Sequence, residues 1–170
     1  MDQKLHETDI SALSCDVFTL FSKATPLLSA GDQQSLNTMV IGWGGLGTLW
    51  GKPVCTVYVR PQRYTYEFME RQDYFTVSVL DASHADALWI CGTRSGRDID
   101  KVKTCGLSVA FGEGGAPYFE EAELVFVCRK LYADDMRGEK FVDGTIDSAC
   151  YPGKDYHRVY VGEVVQVLEK

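Results

Sequence analysis

Between residues 37 and 80 three β-branched, extended runs (38–41, 54–59 and 74–80) follow one another with little helix between them. A glycine-rich segment, Gly42 to Gly47, fills the first gap. The turn Arg60-Pro61-Gln62-Arg63-Tyr64-Thr65 fills the second and opens a short helix. Strands recurring this way argue for an antiparallel barrel rather than a parallel doubly wound sheet. They also gather backbone amides and positive charge near strand ends, an arrangement that suits a phosphate-bearing cofactor.

The rest of the chain fits that reading. Residues 1–15 read as an N-terminal arm or short helix, and residues 17–21 as a strand or a helix end. The apolar run 27–30 closes with Gly31-Asp32, and a hairpin leads from it into 38–41. Thr65 is placed to cap a helix over 66–71, because proline stops the preceding ladder after Arg60. Ser83 to Asp86 resembles a capping box for a helix over 85–90 that Gly92 would end. A second short helix is expected over 98–104. Strands follow at 122–131 and 156–168, separated by a polar turn at 134–139, with Gly162 marking a bulge. Nothing splits the chain, so residues 1–170 read as one domain.

Two phosphate motifs fail on context. Gly42-Trp43-Gly44-Gly45-Leu46-Gly47 matches G-x-G-x-x-G, but Thr48 to Pro53 is too short and broken to be the helix a dinucleotide fold needs there. Gly51-Lys52 is no P-loop, since Leu46 and Pro53 stand where glycine and Ser/Thr are required. The glycine segment therefore reads as a flexible loop between strands, or as backbone kept bare so that a flat ligand can lie on it. The six cysteines lie far apart without metal-ligand spacing, so no metal site is expected and reduced thiols are. The polar, acidic N-terminus lacks the features of a secretory signal, and no apolar run reaches bilayer length. A cytoplasmic location away from membranes is the expectation. A net charge of −7 disfavours nucleic acid.

Candidate anion-binding residues concentrate at Arg60 and Arg63 beside a helix start, where two guanidiniums match phosphate oxygens. The plainer reading pairs them with Glu67 or Glu70 on the surface. Thr93 to Asp98 is a second small, basic segment, followed by Lys101.

Together these segments resemble the flavin reductase-like, FMN-binding split-barrel family, closest to its flavoredoxin branch. The resemblance rests on Asn37-Thr38-Met39 continuing to Trp43-Gly44, the 60–65 turn, the 75–79 strand, Cys91-Gly92, Ser95-Gly96-Arg97-Asp98 with Lys101, and His157 before the last strand. It implies a mainly β, antiparallel Greek-key split barrel of six strands with short flanking helices. It also implies a homodimer with FMN near the subunit boundary. Thr38, Met39 and the loop near Trp43 would line the flavin ring, with Asn37 opening that strand. Arg60, Arg63, Tyr64 and Thr65 would hold phosphate and ribityl groups. Ser95, Arg97 and Lys101 would close the phosphate end behind Cys91 and Gly92. His157 matches a histidine that sits near the flavin in the family's reductases, although Asp155-Tyr156-His157 departs from the family's Gly-Asp-His; the alternative is a rim residue bonded to backbone. The function implied is an FMN-dependent oxidoreductase fed by NAD(P)H or a redox protein. The alternative is a non-catalytic module holding FMN or another flat ligand.

Overall fold

The computed structural model describes residues 4–170. Its strands are β1 (His6–Thr8), β2 (Leu27–Gly31), β3 (Leu36–Val40), β4 (Gly44–Leu49), β5 (Lys52–Val59), β6 (Tyr74–Val79), β7 (Val109–Phe111), β8 (Pro117–Phe119), β9 (Leu124–Asp135) and β10 (Arg158–Glu169). The helices are α1 (Val17–Ser22), α2 (Tyr64–Arg71), α3 (Ala85–Thr93), α4 (Lys101–Cys105) and α5 (Gly144–Cys150).

The main sheet runs β3-β2-β6-β9-β10-β5-β4, every pairing antiparallel, and β1 joins β10. It curls into a split barrel whose end strands β3 and β4 do not pair with each other. Eight strands stand where six were implied, because residues 6–8 and 44–49 both join the ladder. Strand β10 organises the barrel. It lies along β9 for its whole length while its first half pairs with β5 and its last residues with β1. Its register shifts between Val161 and Gly162, the bulge expected there.

Two apolar clusters hold the fold. Phe75, Val77, Phe126, Tyr160 and Val57 fill the barrel with Phe68 and Met69 of α2 against them. Leu27, Leu80, Leu107, Phe119 and Cys91 pack outside it, beneath α3, α4 and the β7-β8 hairpin. Each fully buried side chain of this size contributes about 1.5–3 kcal/mol of transfer free energy.

The short helices owe their starts to carboxylates. Asp16 caps α1, Asp100 caps α4 and Asp143 caps α5, each accepting from amides of the first turn. This corrects the helix expected over 98–104, which cannot begin before its Asp100 cap. Residues 17–21 are helical, not extended. Residues 42–47 are not simply a loop: from Gly44 they form β4, paired to β5 from Gly44↔Val57 to Leu49↔Lys52. The N-terminal arm is pinned as β1; its residues 1–3 lie outside the described residues. Helix α3 passes through Gly92 to Thr93. Thr65 is not a cap but the second residue of α2, buried, with Arg63 at the cap position making no side-chain capping bond.

Candidate functional site

Strand β3 and the start of α2 run side by side and line two hollows. A cleft of about 190 Å³ is lined by Met39, Val40, Ile41, Gly42, Trp43, Tyr58, Arg60, Arg63 and His157. A more polar hollow of about 550 Å³ includes Asn37, Thr38, Tyr64, Gly96, Arg97 and Lys101 in its wall. The two meet where the chain steps from Thr38 to Met39 and from Tyr64 to Arg63.

The basic residues differ in how free they are. Arg60 is committed: it pairs with Asp155, donates from Nη2 to Cys150 O at 2.9 Å, and lies over the Tyr151 ring at 5.1 Å. Its partner is thus Asp155, not Glu67 or Glu70. Arg97 donates to Glu67 Oε1 at 2.5 Å and Gln62 O at 3.2 Å, and stacks on Tyr64 at 4.8 Å. The Arg63 guanidinium makes no hydrogen bond or ion pair among the described residues, while its backbone N–H donates to Arg60 O at 3.0 Å, and its charge reaches both Lys101 and His157.

Lys101 is buried and donates from Nζ to Thr38 O and Cys91 O, both at 2.8 Å. Two of its three protons are spent on β3 and on the carboxyl end of α3, where a cation suits the helix dipole. Burial, with Arg63 adding to it, lowers its pKa.

Several of the expected site residues spend their side chains on bracing the wall. Thr38 is fully buried, its hydroxyl taking a bond from Ser29 at 2.9 Å and donating to Leu28 O at 3.2 Å. Asn37 Nδ2 donates to Thr65 Oγ1 at 2.8 Å, tying β3 to α2. Ser95 Oγ accepts from Arg97 N at 3.1 Å and so shapes the 95–98 turn. Cys91 takes part through its carbonyl, and Gly92 lies beside Val40.

At the other end of the cleft His157 is buried, with Trp43 on one side (ring centroids 4.9 Å) and the Tyr151 hydroxyl 2.8 Å from Nδ1. Its side-chain partner is therefore Tyr151, not backbone. Burial, with the Arg60 guanidinium adding to it, lowers the imidazole to about 4, so it is neutral at pH 7. Tyr156, the aromatic residue that departs from the family form, packs on Tyr151 at 5.0 Å and donates to Asp147 Oδ1 at 2.7 Å. Sequence reasoning missed Tyr151, whose bond to His157 six residues on follows no local motif, and the pairing of Asp155 with Arg60, 95 residues apart.

The flavin reductase like domain family matches residues 18–170. The chain belongs to this family. Among solved structures, the FMN-binding domain of a flavin reductases-like enzyme from Shewanella baltica OS155 is similar at TM-score 0.71 and 16% identity, over 99% of this chain and 78% of that one. Flavoredoxin from Methanosarcina acetivorans aligns at TM-score 0.68 and 22% identity, over 96% and 76%. The NADH:FAD oxidoreductase SgcE6 of Streptomyces globisporus, in complex with NAD and FAD fragments, aligns at TM-score 0.64 and 18% identity, over 85% and 73%. At these identities the likeness shows a shared split-barrel fold. The chain spans between about half and three fifths of the length of the curated relatives it matches at 29% identity. Within this flavin reductase-like chain, no group of three or more His, Cys, Asp or Glu could hold a metal among the described residues. No helix among them is long and apolar enough to cross a membrane.

Proposed function

We propose that this flavin reductase-like chain binds FMN along the Met39–Trp43 edge and works as an oxidoreductase. The observation that carries the reading is Arg63: an unpaired guanidinium at the uncapped start of α2, beside buried Lys101, in a protein of net charge −7. An acidic protein leaving two cations un-neutralised at one corner has a fitting seat for a phosphate. The residues fit the cofactor. Arg63, the first amides of α2 and the remaining Lys101 proton would hold the phosphate, while Met39, Trp43 and the exposed Gly42 backbone would take the flat ring.

When bound, the flavin supplies a centre that accepts two electrons as hydride or passes them singly. The chain's part is to bind, orient and shield. Trp43 and Ile41 offer apolar wall. Neutral His157 neither repels a cationic nicotinamide nor serves as a strong base. Arg60, held by Asp155, keeps the 150–157 segment against the cleft. A second copy of the chain is proposed to close the open side, as in the family resemblance, and the donor is proposed to be NAD(P)H or a redox protein.

The test is the visible spectrum of the freshly purified protein, with chromatographic identification of any chromophore released by heat. Stoichiometric FMN, bleached anaerobically by NADH, NADPH or reduced ferredoxin, supports the reading and names the donor class. A colourless protein that cannot take up added FMN overturns it.

A further inference from the structure

We propose that Tyr151 is a positioning residue that fixes His157 as its Nε2–H tautomer, so that the cleft beside Trp43 meets a neutral hydrogen-bond donor. What that donor acts on rests on the flavin reading; the tautomer itself does not.

The geometry decides which group gives the proton. The tyrosine oxygen and Nδ1 are 2.8 Å apart, and both residues are buried. Among the described residues the hydroxyl has one competing acceptor, Met136 Sδ at 3.5 Å. A thioether is a weak acceptor and a bare imidazole nitrogen a strong one, so the hydroxyl donates to Nδ1. The ring proton then belongs on Nε2, which makes no hydrogen bond among the described residues.

Both rings are held in place. Tyr151 is flanked by Phe141 (5.7 Å) and Tyr156 (5.0 Å) and covered by Arg60 (5.1 Å). His157 is flanked by Trp43, and its carbonyl accepts from Met136 N at 2.9 Å. The charged groups that bear on the imidazole are Arg60 and Arg63, which oppose a second ring proton, and Asp155, which favours one. Asp155 is itself paired with Arg60, so opposition prevails. A fixed neutral N–H suits a carbonyl oxygen or ring nitrogen that gains electron density on reduction, and does not suit proton abstraction. Holding the far nitrogen by a buried hydroxyl is how a protein sets which imidazole face is offered.

The experiment is long-range ¹H–¹⁵N NMR of the full-length protein with ¹⁵N-labelled histidine, with its flavin and after flavin removal, on wild type and Tyr151→Phe. At pH 7 wild type is expected to carry its proton on Nε2 with Nδ1 bare. In Tyr151→Phe the tautomer ratio should fall about tenfold toward a mixture, and the imidazole should titrate at higher pH. The variant's turnover should fall off toward acid about one pH unit above where wild type does, the same tenfold change read as protonation. A proton on Nδ1 in wild type, or a tautomer ratio unmoved in the variant, overturns the proposal. Should Tyr151→Phe fail to unfold cooperatively, wild type alone still decides, and Met136→Leu, which removes the competing acceptor, must keep the Nε2–H form. A protein that shows the Nε2–H form yet never binds FMN sinks the flavin reading alone; a flavin-loaded protein with Nδ1–H sinks this proposal alone.

Discussion

Gly96 passes so close to Asn37 that a Cβ built on it would overlap Asn37 Oδ1, while the same amide donates from Nδ2 to Thr65 Oγ1 at 2.8 Å. The bare backbone at 96 thus lets one buried amide fasten β3 to α2 directly beneath the two hollows. Gly96→Ala must push that amide away and leave Asn37 and Thr65 with unmet polar groups, at a cost of about 1–3 kcal/mol. Urea denaturation checks it; an unmoved midpoint would show that the 95–98 turn simply shifts aside.

Arg60 and Arg63 stand three residues apart and are expected to fail in opposite ways. The Arg63 side chain has no partner to lose among the described residues, so Arg63→Ala should stay within about 0.5 kcal/mol of wild-type stability. Its FMN affinity should fall roughly 10- to 100-fold for the loss of a charge-assisted phosphate contact. Arg60→Ala instead frees Asp155 and uncovers Tyr151, costing about 1–3 kcal/mol in stability. Flavin fluorescence titration beside urea unfolding separates the two. Equal FMN loss in both variants, with no stability difference, would contradict the assignment.

Lys101 joins stability to the site. Replacing it with methionine keeps the buried stem but strips donors from Thr38 O and Cys91 O. Two buried carbonyls without partners cost about 2–4 kcal/mol together. A fall in the urea midpoint together with weaker FMN binding is expected. Weakened binding at full stability would mean that Nζ turns freely toward the ligand and braces nothing.

The sequence showed the strands whose side chains speak for themselves. Residues 54–59 and 74–79 are β-branched, fill the barrel and are strands in the fold. Gly44 to Leu49 hid because glycine has low strand propensity and its reason for being there is tertiary: a Cβ on Gly44 would overlap the Phe21 ring of α1. Thr65 looked like a cap because caps are local signals, whereas its buried bond to Asn37 joins residues 28 apart. The basic turn was legible as composition but not as chemistry. Asp155, 95 residues beyond Arg60, together with Cys150 O and the Tyr151 ring, distinguishes a committed guanidinium from a free one.

The buried imidazole makes stability depend on pH in a calculable direction. His157 is held to about 4 in the folded protein and returns to about 6.5 when unfolded. Between those values the unfolded chain binds more protons than the native one, so this contribution is complete above pH 6.5 and is lost as pH falls through 4. A difference of about 2.5 units at ~1.36 kcal/mol per unit is about 3 kcal/mol. Carboxylates add their own acid loss, among them Asp155, whose bond from Arg60 holds it below the usual carboxylate range in the folded protein, so the comparison must be between wild type and His157→Gln. Urea unfolding at half-unit steps from pH 4 to 7 should show wild type losing about 3 kcal/mol more than the variant. The excess should accrue mainly below pH 6. Parallel curves would mean that the imidazole takes up its second proton in the folded state as readily as in water, and that its place between Trp43 and Tyr151 does not keep it neutral.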